Sequence, residues 1–152
     1  MKSYNNNVIS EESILLDIEA SSKDEVFDIM SNNLYKLNRI SSKEEFIKSL
    51  YEREALGETG VEMGLAIPHG KSKFVLINSL SVARLNNPIE WETLDDCLVS
   101  IVVMFAVYDG QNTNDEHLDL LAKVAGNLVE EDTIEFLKTS NDKIAIINKL
   151  LS

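Results

Sequence analysis

Thr59-Gly60-Val61-Glu62-Met63-Gly64-Leu65-Ala66-Ile67-Pro68-His69-Gly70-Lys71 is the stretch around which the rest of the chain is organised. It opens on a loop signal, runs through an apolar segment and closes on Pro68-His69-Gly70. Residues 61–67 read as a buried strand. Pro68 has no N–H to give a sheet ladder, so pairing is expected to stop there. Gly70, lacking a Cβ, is expected to turn the backbone immediately afterwards. His69 would then sit between two backbone constraints just past a strand end, an imidazole held rigidly at the surface. From these residues alone, a turn with an incidental histidine remains the alternative.

Upstream, Ser22-Lys23-Asp24-Glu25 and Ser42-Lys43-Glu44-Glu45 both carry the capping-box pattern, a serine followed three residues later by glutamate. After the first, Val26, Phe27, Met30, Leu34 and Leu37 recur at helical spacing, which predicts a helix over 22–38. After the second, Phe46, Ile47, Leu50 and Tyr51 form an apolar face, and Gly57 is expected to end that helix. It delivers Arg53 shortly before the histidine stretch; taken alone, Arg53 also fits a solvated surface arginine. The apolar runs Val8-Ile9 and 14–18 read as edge strands, and residues 1–7 as a loose lead-in.

Downstream, residues 74–84 read as a strand, Asn86-Asn87-Pro88 as a turn and 89–91 as a short strand, with Trp91 at the core edge. Residues 98–107 are almost continuously apolar and rich in Val and Ile, the pattern of a strand buried on both faces. A turn cluster follows at 109–114, where Thr113 or Asn114 can cap the next helix. Leu118, Leu121, Val124, Ala125 and Leu128 place that helix at 115–128, with His117 in its first turn. Residues 132–137 and 141–151 read as two closing helices, with Ile144, Ile147, Leu150 and Leu151 inward. Together these predict a single α/β domain over residues 1–152, with a mixed sheet of about five strands flanked by helices on both faces.

Fourteen basic and 26 acidic residues give a formal charge of −12. This argues against nucleic-acid binding, which needs a basic face, and against anionic lipid. The single cysteine, Cys97, permits no internal disulfide. The N-terminus lacks the apolar core of a signal peptide, and the run at 98–108 is too short to span a bilayer. A cytoplasmic protein with no membrane insertion is expected.

The chain has two histidines, His69 and His117. One follows a strand end and the other starts a helix, positions that one sheet edge can share. Three chemistries compete. His69 can take up a phosphoryl group as a phosphohistidine, with Arg53, His117 and backbone N–H groups around the oxygens. His69 and His117 can bind a metal with carboxylates such as Asp109, Asp115 and Glu116, as in a metal-dependent hydrolase, although no short metal-ligand spacing is present. Cys97 can act as a thiol nucleophile, although at the head of a buried strand it reads as an inert core thiol.

The chain resembles the phosphotransferase-system enzyme IIA domains of the fructose/mannitol class. The resemblance rests on Gly64, the Leu65-Ala66-Ile67 triplet and Pro68-His69-Gly70, with Arg53 upstream and His117-Leu118 opening a later helix. It implies phosphorylation of His69 by the phosphocarrier HPr and onward transfer to a cysteine of the enzyme IIB component of a sugar transporter. Arg53 would hold the phosphoryl oxygens bidentately, a role lysine fills less well. His117 would lie beside His69 and steady the transferring group; Lys71 is a weaker candidate. The resemblance implies no metal or organic cofactor, because the incoming phosphohistidine carries the energy. It also leaves a regulatory, nitrogen-related role open, in which the state of His69 governs binding to other proteins.

Overall fold

Two serine caps set the first helical layer. In the computed structural model, which describes residues 8–110 and 115–152, Ser22 accepts from the Glu25 N–H at 3.2 Å and Ser42 from the Glu45 N–H at 3.2 Å. Each such cap is worth about 1 kcal/mol. They open α1 (Lys23–Lys36) and α2 (Lys43–Glu54), which bury Val26, Phe27, Met30, Leu34, Phe46 and Leu50. The expected lead-in at 1–7 and the expected caps Thr113 and Asn114 lie outside the described residues.

The sheet contains β1 (Ile14–Ile18), β2 (Leu65–Ala66), β3 (His69–Ser72), β4 (Ser79–Ile89) and β5 (Val99–Tyr108). Its order is β1-β4-β5-β2, with β3 continuing the β2 edge along β5. β4 and β5 are antiparallel, whereas β1 on β4 and both β2 and β3 on β5 are parallel, so the sheet is mixed. On one face, Ala66, Ala83, Val102, Met104 and Ala106 meet α1 and α2. On the other, Leu65, Val82, Ile101 and Val103 meet α3 (Asp115–Asn127), α4 (Glu131–Thr139) and α5 (Lys143–Leu151). Helices cover both faces, as the doubly buried 98–107 run predicts.

Several boundaries differ from the sequence reading. Only Leu65–Ala66 of residues 61–67 is strand, because Met63 (φ 61°) and Gly64 (φ 80°) turn the chain through the left-handed region just before it. Pro68 interrupts the ladder without ending it. Its missing N–H removes one rung, but its carbonyl accepts from Phe105 at 3.0 Å and pairing resumes from His69 to Ser72. The strand expected from residue 74 begins at Ser79; Val75 instead bridges to Ile40. Asn86-Asn87-Pro88 is an exposed part of β4, where the register with β5 shifts between Arg84 and Ile89, and so is neither a turn nor followed by a separate strand. Val8-Ile9 is buried but not a strand, and Ile144 faces outward, 50% exposed.

Gly70 lies within β3 rather than at a turn, and its role is steric. A Cβ there would come within 2.4 Å of Ser49 Oγ and 2.8 Å of Phe46 Cε1, both on α2. Gly70 therefore sets how closely the helix carrying Arg53 approaches the strand carrying His69. Gly70→Ala should force the two apart and lower stability by about 1–3 kcal/mol, the usual cost of overpacking. Urea unfolding measures this, and an unchanged midpoint would show that the helix yields without strain.

Candidate functional site

His69 opens β3 at the sheet edge and is half-buried. It pairs in register with Phe105, and residues paired across a parallel ladder share a face. Phe105 and Val107 pack on the cluster that holds Leu121, Val124 and Leu128, so His69 lies on the face covered by α3. Arg53 comes from the last turn of α2, on the opposite face, and reaches His69 around the open edge.

Arg53 Nε donates to His69 Nε2 at 3.1 Å, and Arg53 Nη1 donates to the Gly57 carbonyl at 2.9 Å. A guanidinium has only donors, so His69 Nε2 is the acceptor and carries the lone pair. The ring proton is then on Nδ1, which lies 3.3 Å from the Ile67 carbonyl and donates to it. This tautomer, assigned from the hydrogen bonds, presents Nε2 as the nucleophilic nitrogen beside a fixed cation.

The loop between α2 and β2 is stitched to its surroundings. Ile67 N–H donates to the Thr59 carbonyl at 2.9 Å, and Gly60 N–H to that of Glu92 at 3.1 Å. Thr59 is buried; its hydroxyl donates to Glu54 Oε2 and accepts from Trp91 Nε1 at 3.2 Å. Lys23 Nζ joins Glu54 at 2.9 Å to Glu92 at 2.6 Å, and stands 5.4 Å from the centroid of the Trp91 ring. Burial works against the Lys23 charge, but the hydrogen bonds to Glu92 and Glu54 outweigh it and hold its pKa above the ordinary lysine value. The same bond from Lys23 holds the Glu92 carboxyl below its ordinary value.

The other sequence candidates lie on several elements. His117, in the first turn of α3, is half-buried and lines a cleft of about 480 Å³ with Lys73, Val75, Ile77, Asn78 and Tyr108. Tyr108, which lines that cleft, pairs with Ser72, three residues along β3 from His69. Lys71 is exposed and shares the His69 face of β3. Asp109 is exposed, and the side chains of Asp115 and Glu116 lie outside the described residues. Among the described residues, no group of three or more His, Cys, Asp or Glu is placed to hold a metal ion.

Cys97 corrects an expectation: it is exposed, two residues before β5, and is not a core thiol. A hydrogen bond to Asp95 and the negative charge of that carboxylate push its pKa up, away from thiolate chemistry. Of the apolar residues near the stretch, Leu65 is core, Met63 and Tyr108 are half-buried, and Phe74 is exposed. Leu56, three residues after Arg53, is an exposed apolar residue that sequence patterning missed. A lone leucine in a polar loop carries no periodic signal.

The model of the family described as phosphoenolpyruvate-dependent sugar phosphotransferase system, EIIA 2, matches residues 7–152. The 2-O-alpha-mannosyl-D-glycerate-specific EIIABC component of Escherichia coli is 32% identical over 122 residues, covering 80% of this chain and 18% of that protein. The chain thus spans about a fifth of that longer relative. A nitrogen regulatory protein of Bradyrhizobium diazoefficiens is 32% identical over 145 residues, covering 95% of this chain and 92% of that one. The crystal structure of nitrogen regulatory protein IIA-Ntr from Neisseria meningitidis superposes with a TM-score of 0.80 at 29% identity, covering 93% of this chain and 94% of that one. Among the described residues, no helix is long and apolar enough to cross a membrane.

Proposed function

We propose, from the premise that the chain belongs to the EIIA 2 family of the phosphoenolpyruvate-dependent sugar phosphotransferase system, that it carries a phosphoryl group on His69 Nε2 between HPr and an enzyme IIB component of the fructose/mannitol class. The observation that carries this reading is the Arg53 Nε contact to His69 Nε2 at 3.1 Å, with the ring proton committed to Ile67. Arg53 turns its N–H groups from the ring nitrogen to the incoming phosphoryl oxygens, whose charge of about −1.5 to −2 needs local compensation in a chain at −12, and the Nε2 lone pair so released attacks the phosphorus of phospho-HPr as the donor N–P bond breaks. The donor ring returns from phosphoimidazole to neutral imidazole as His69 goes the other way, so one N–P bond replaces another, the step is close to balanced and no cofactor enters it.

Onward transfer to a cysteine of IIB would take place in the cytoplasm. The EIIABC relative supports such a partner, since its name joins A, B and C components in one protein. His117 would steady the group during that transfer, because α3 covers the face on which His69 sits. His117→Ala should still be phosphorylated but pass the group on more slowly; an unchanged transfer rate in stopped flow would leave it a structural residue.

The test of the reading is intact mass after incubation with enzyme I, HPr and phosphoenolpyruvate. A gain of one acid-labile phosphoryl supports it, and no gain overturns it. The two nitrogen regulatory proteins favour a second reading, in which the phosphorylation state of His69 governs binding to other proteins. Transfer from the phosphorylated chain to a purified fructose-class or mannitol-class IIB separates the two: the transport reading requires it, and the regulatory reading does not.

A further inference from the structure

We propose that the buried hydroxyl of Thr59 is the positioning group that sets the tautomer and placement of the His69 ring. Its orientation is fully determined. An indole N–H can only donate, so Thr59 Oγ1 must accept from Trp91 Nε1, at 3.2 Å. The one hydroxyl proton is then left for Glu54 Oε2, which accepts it. Both partners are themselves held. Glu54 is paired with Lys23 at 2.9 Å, and Trp91 packs edge-on against Phe27 with the ring centroids 5.7 Å apart.

From this anchored residue a single path of hydrogen bonds runs to the reacting ring. The Thr59 carbonyl accepts from Ile67 N–H at 2.9 Å, and the Ile67 carbonyl accepts from His69 Nδ1 at 3.3 Å. Pro68 lies between Ile67 and His69 and fixes the backbone there. A shift of Thr59 therefore moves the carbonyl that holds the proton on Nδ1, one of the two contacts, with the Arg53 N–H on Nε2, that fix the tautomer. The same loop supplies the Gly57 carbonyl that holds Arg53 Nη1 at 2.9 Å, so both halves of the site hang on its position. The Thr59 hydroxyl touches neither the ring nor the guanidinium; it acts through the backbone of Ile67.

The experiment compares Thr59→Val, which keeps the shape and removes the hydroxyl, with Thr59→Ser, which restores it. Two quantities are read: the ¹⁵N shifts of the His69 ring in the unphosphorylated protein, and the single-turnover rate of phosphoryl uptake from phospho-HPr. Wild type should show Nδ1 protonated and Nε2 bare. Thr59→Val should show averaged tautomers and an uptake rate lower by on the order of tenfold to a hundredfold, the range expected of a small misplacement of a reacting group. Thr59→Ser should match wild type in both. Wild-type ring shifts in Thr59→Val overturn the inference, whatever its thermal stability.

If Thr59→Val does not fold, Trp91→Phe carries the test, since it keeps an aromatic ring against Phe27 and removes the N–H along with part of the indole. It should move the ring shifts in the same direction by less, and unchanged shifts overturn the inference. The rate measurement rests on phosphoryl uptake by His69. A wild-type protein that takes up nothing defeats that parent reading, while the ring shifts still decide the role of Thr59.

Discussion

His69→Ala should take up no phosphoryl group from phospho-HPr and should remain folded. The loss is expected to be complete because the substitution removes the attacking atom. Arg53 cannot act as a nucleophile while its guanidinium is protonated, which in proteins is always. The nearest lysine along β3, Lys71, is exposed and would have to lose a proton first. Folding should survive because His69 is a half-buried edge residue whose ring is hydrogen-bonded to Arg53 and to the Ile67 carbonyl. Each hydrogen bond is worth about 0.5–1.5 kcal/mol net, and Arg53 and the carbonyl can turn to water instead. Intact mass and a thermal melt, run on the same sample, check both halves. Residual phosphorylation of His69→Ala would place the acceptor elsewhere, with His117 first in line.

The fold was largely legible because its signals are local. Ser22 and Ser42 cap the helices they announce, and the 99–108 strand has helices on both faces as its almost continuous apolar run requires. What was not legible depended on neighbours distant in sequence. Gly70 reads as a turn residue because glycine most often serves as one, yet here it is the floor on which Ser49 and Phe46 rest. Pro68 reads as a stop, but a proline at a sheet edge can forfeit one rung and let the ladder continue. Cys97 reads as core because an apolar run follows it; the strand begins two residues later, and the thiol stays outside.

In the site, the histidine and arginine were visible as residue types at a suggestive spacing, and the structure brings them into contact. Their supports were not visible. Thr59, Glu54 and Trp91 are 32 residues apart at the widest contact, and a threonine that opens a glycine-rich loop looks like any other. The same limit applies to Arg84. Buried within β4, it holds the carbonyls of Leu137 and Ser140 at the end of α4, and no feature of its sequence surroundings separates it from Arg53.

Arg53 allows folding and chemistry to be separated. Arg53→Ala should slow phosphoryl uptake by about 10²-fold, the lower end of what removing one preorganised donor at a developing anion costs. It should still reach full phosphorylation given time, because the nucleophile is intact. It should also lose a little stability, since a cation in the last turn of α2 favours the helix by about 0.3–1 kcal/mol. Arg53→Lys restores that charge and so should restore stability. It should not restore the rate fully. Arg53 holds Gly57 with Nη1 and His69 with Nε at the same time, which fixes the guanidinium plane against the ring nitrogen. A lysine ammonium is a point charge on a flexible stem and cannot span both partners in one geometry. A rate for Arg53→Lys about tenfold below wild type, at wild-type stability, would put the deficit in the geometry of the donors and leave folding out of it. If both variants take up phosphoryl at the wild-type rate, Arg53 is only a tether for the 55–60 loop, and the charge that receives the phosphoryl oxygens must come from the partner protein.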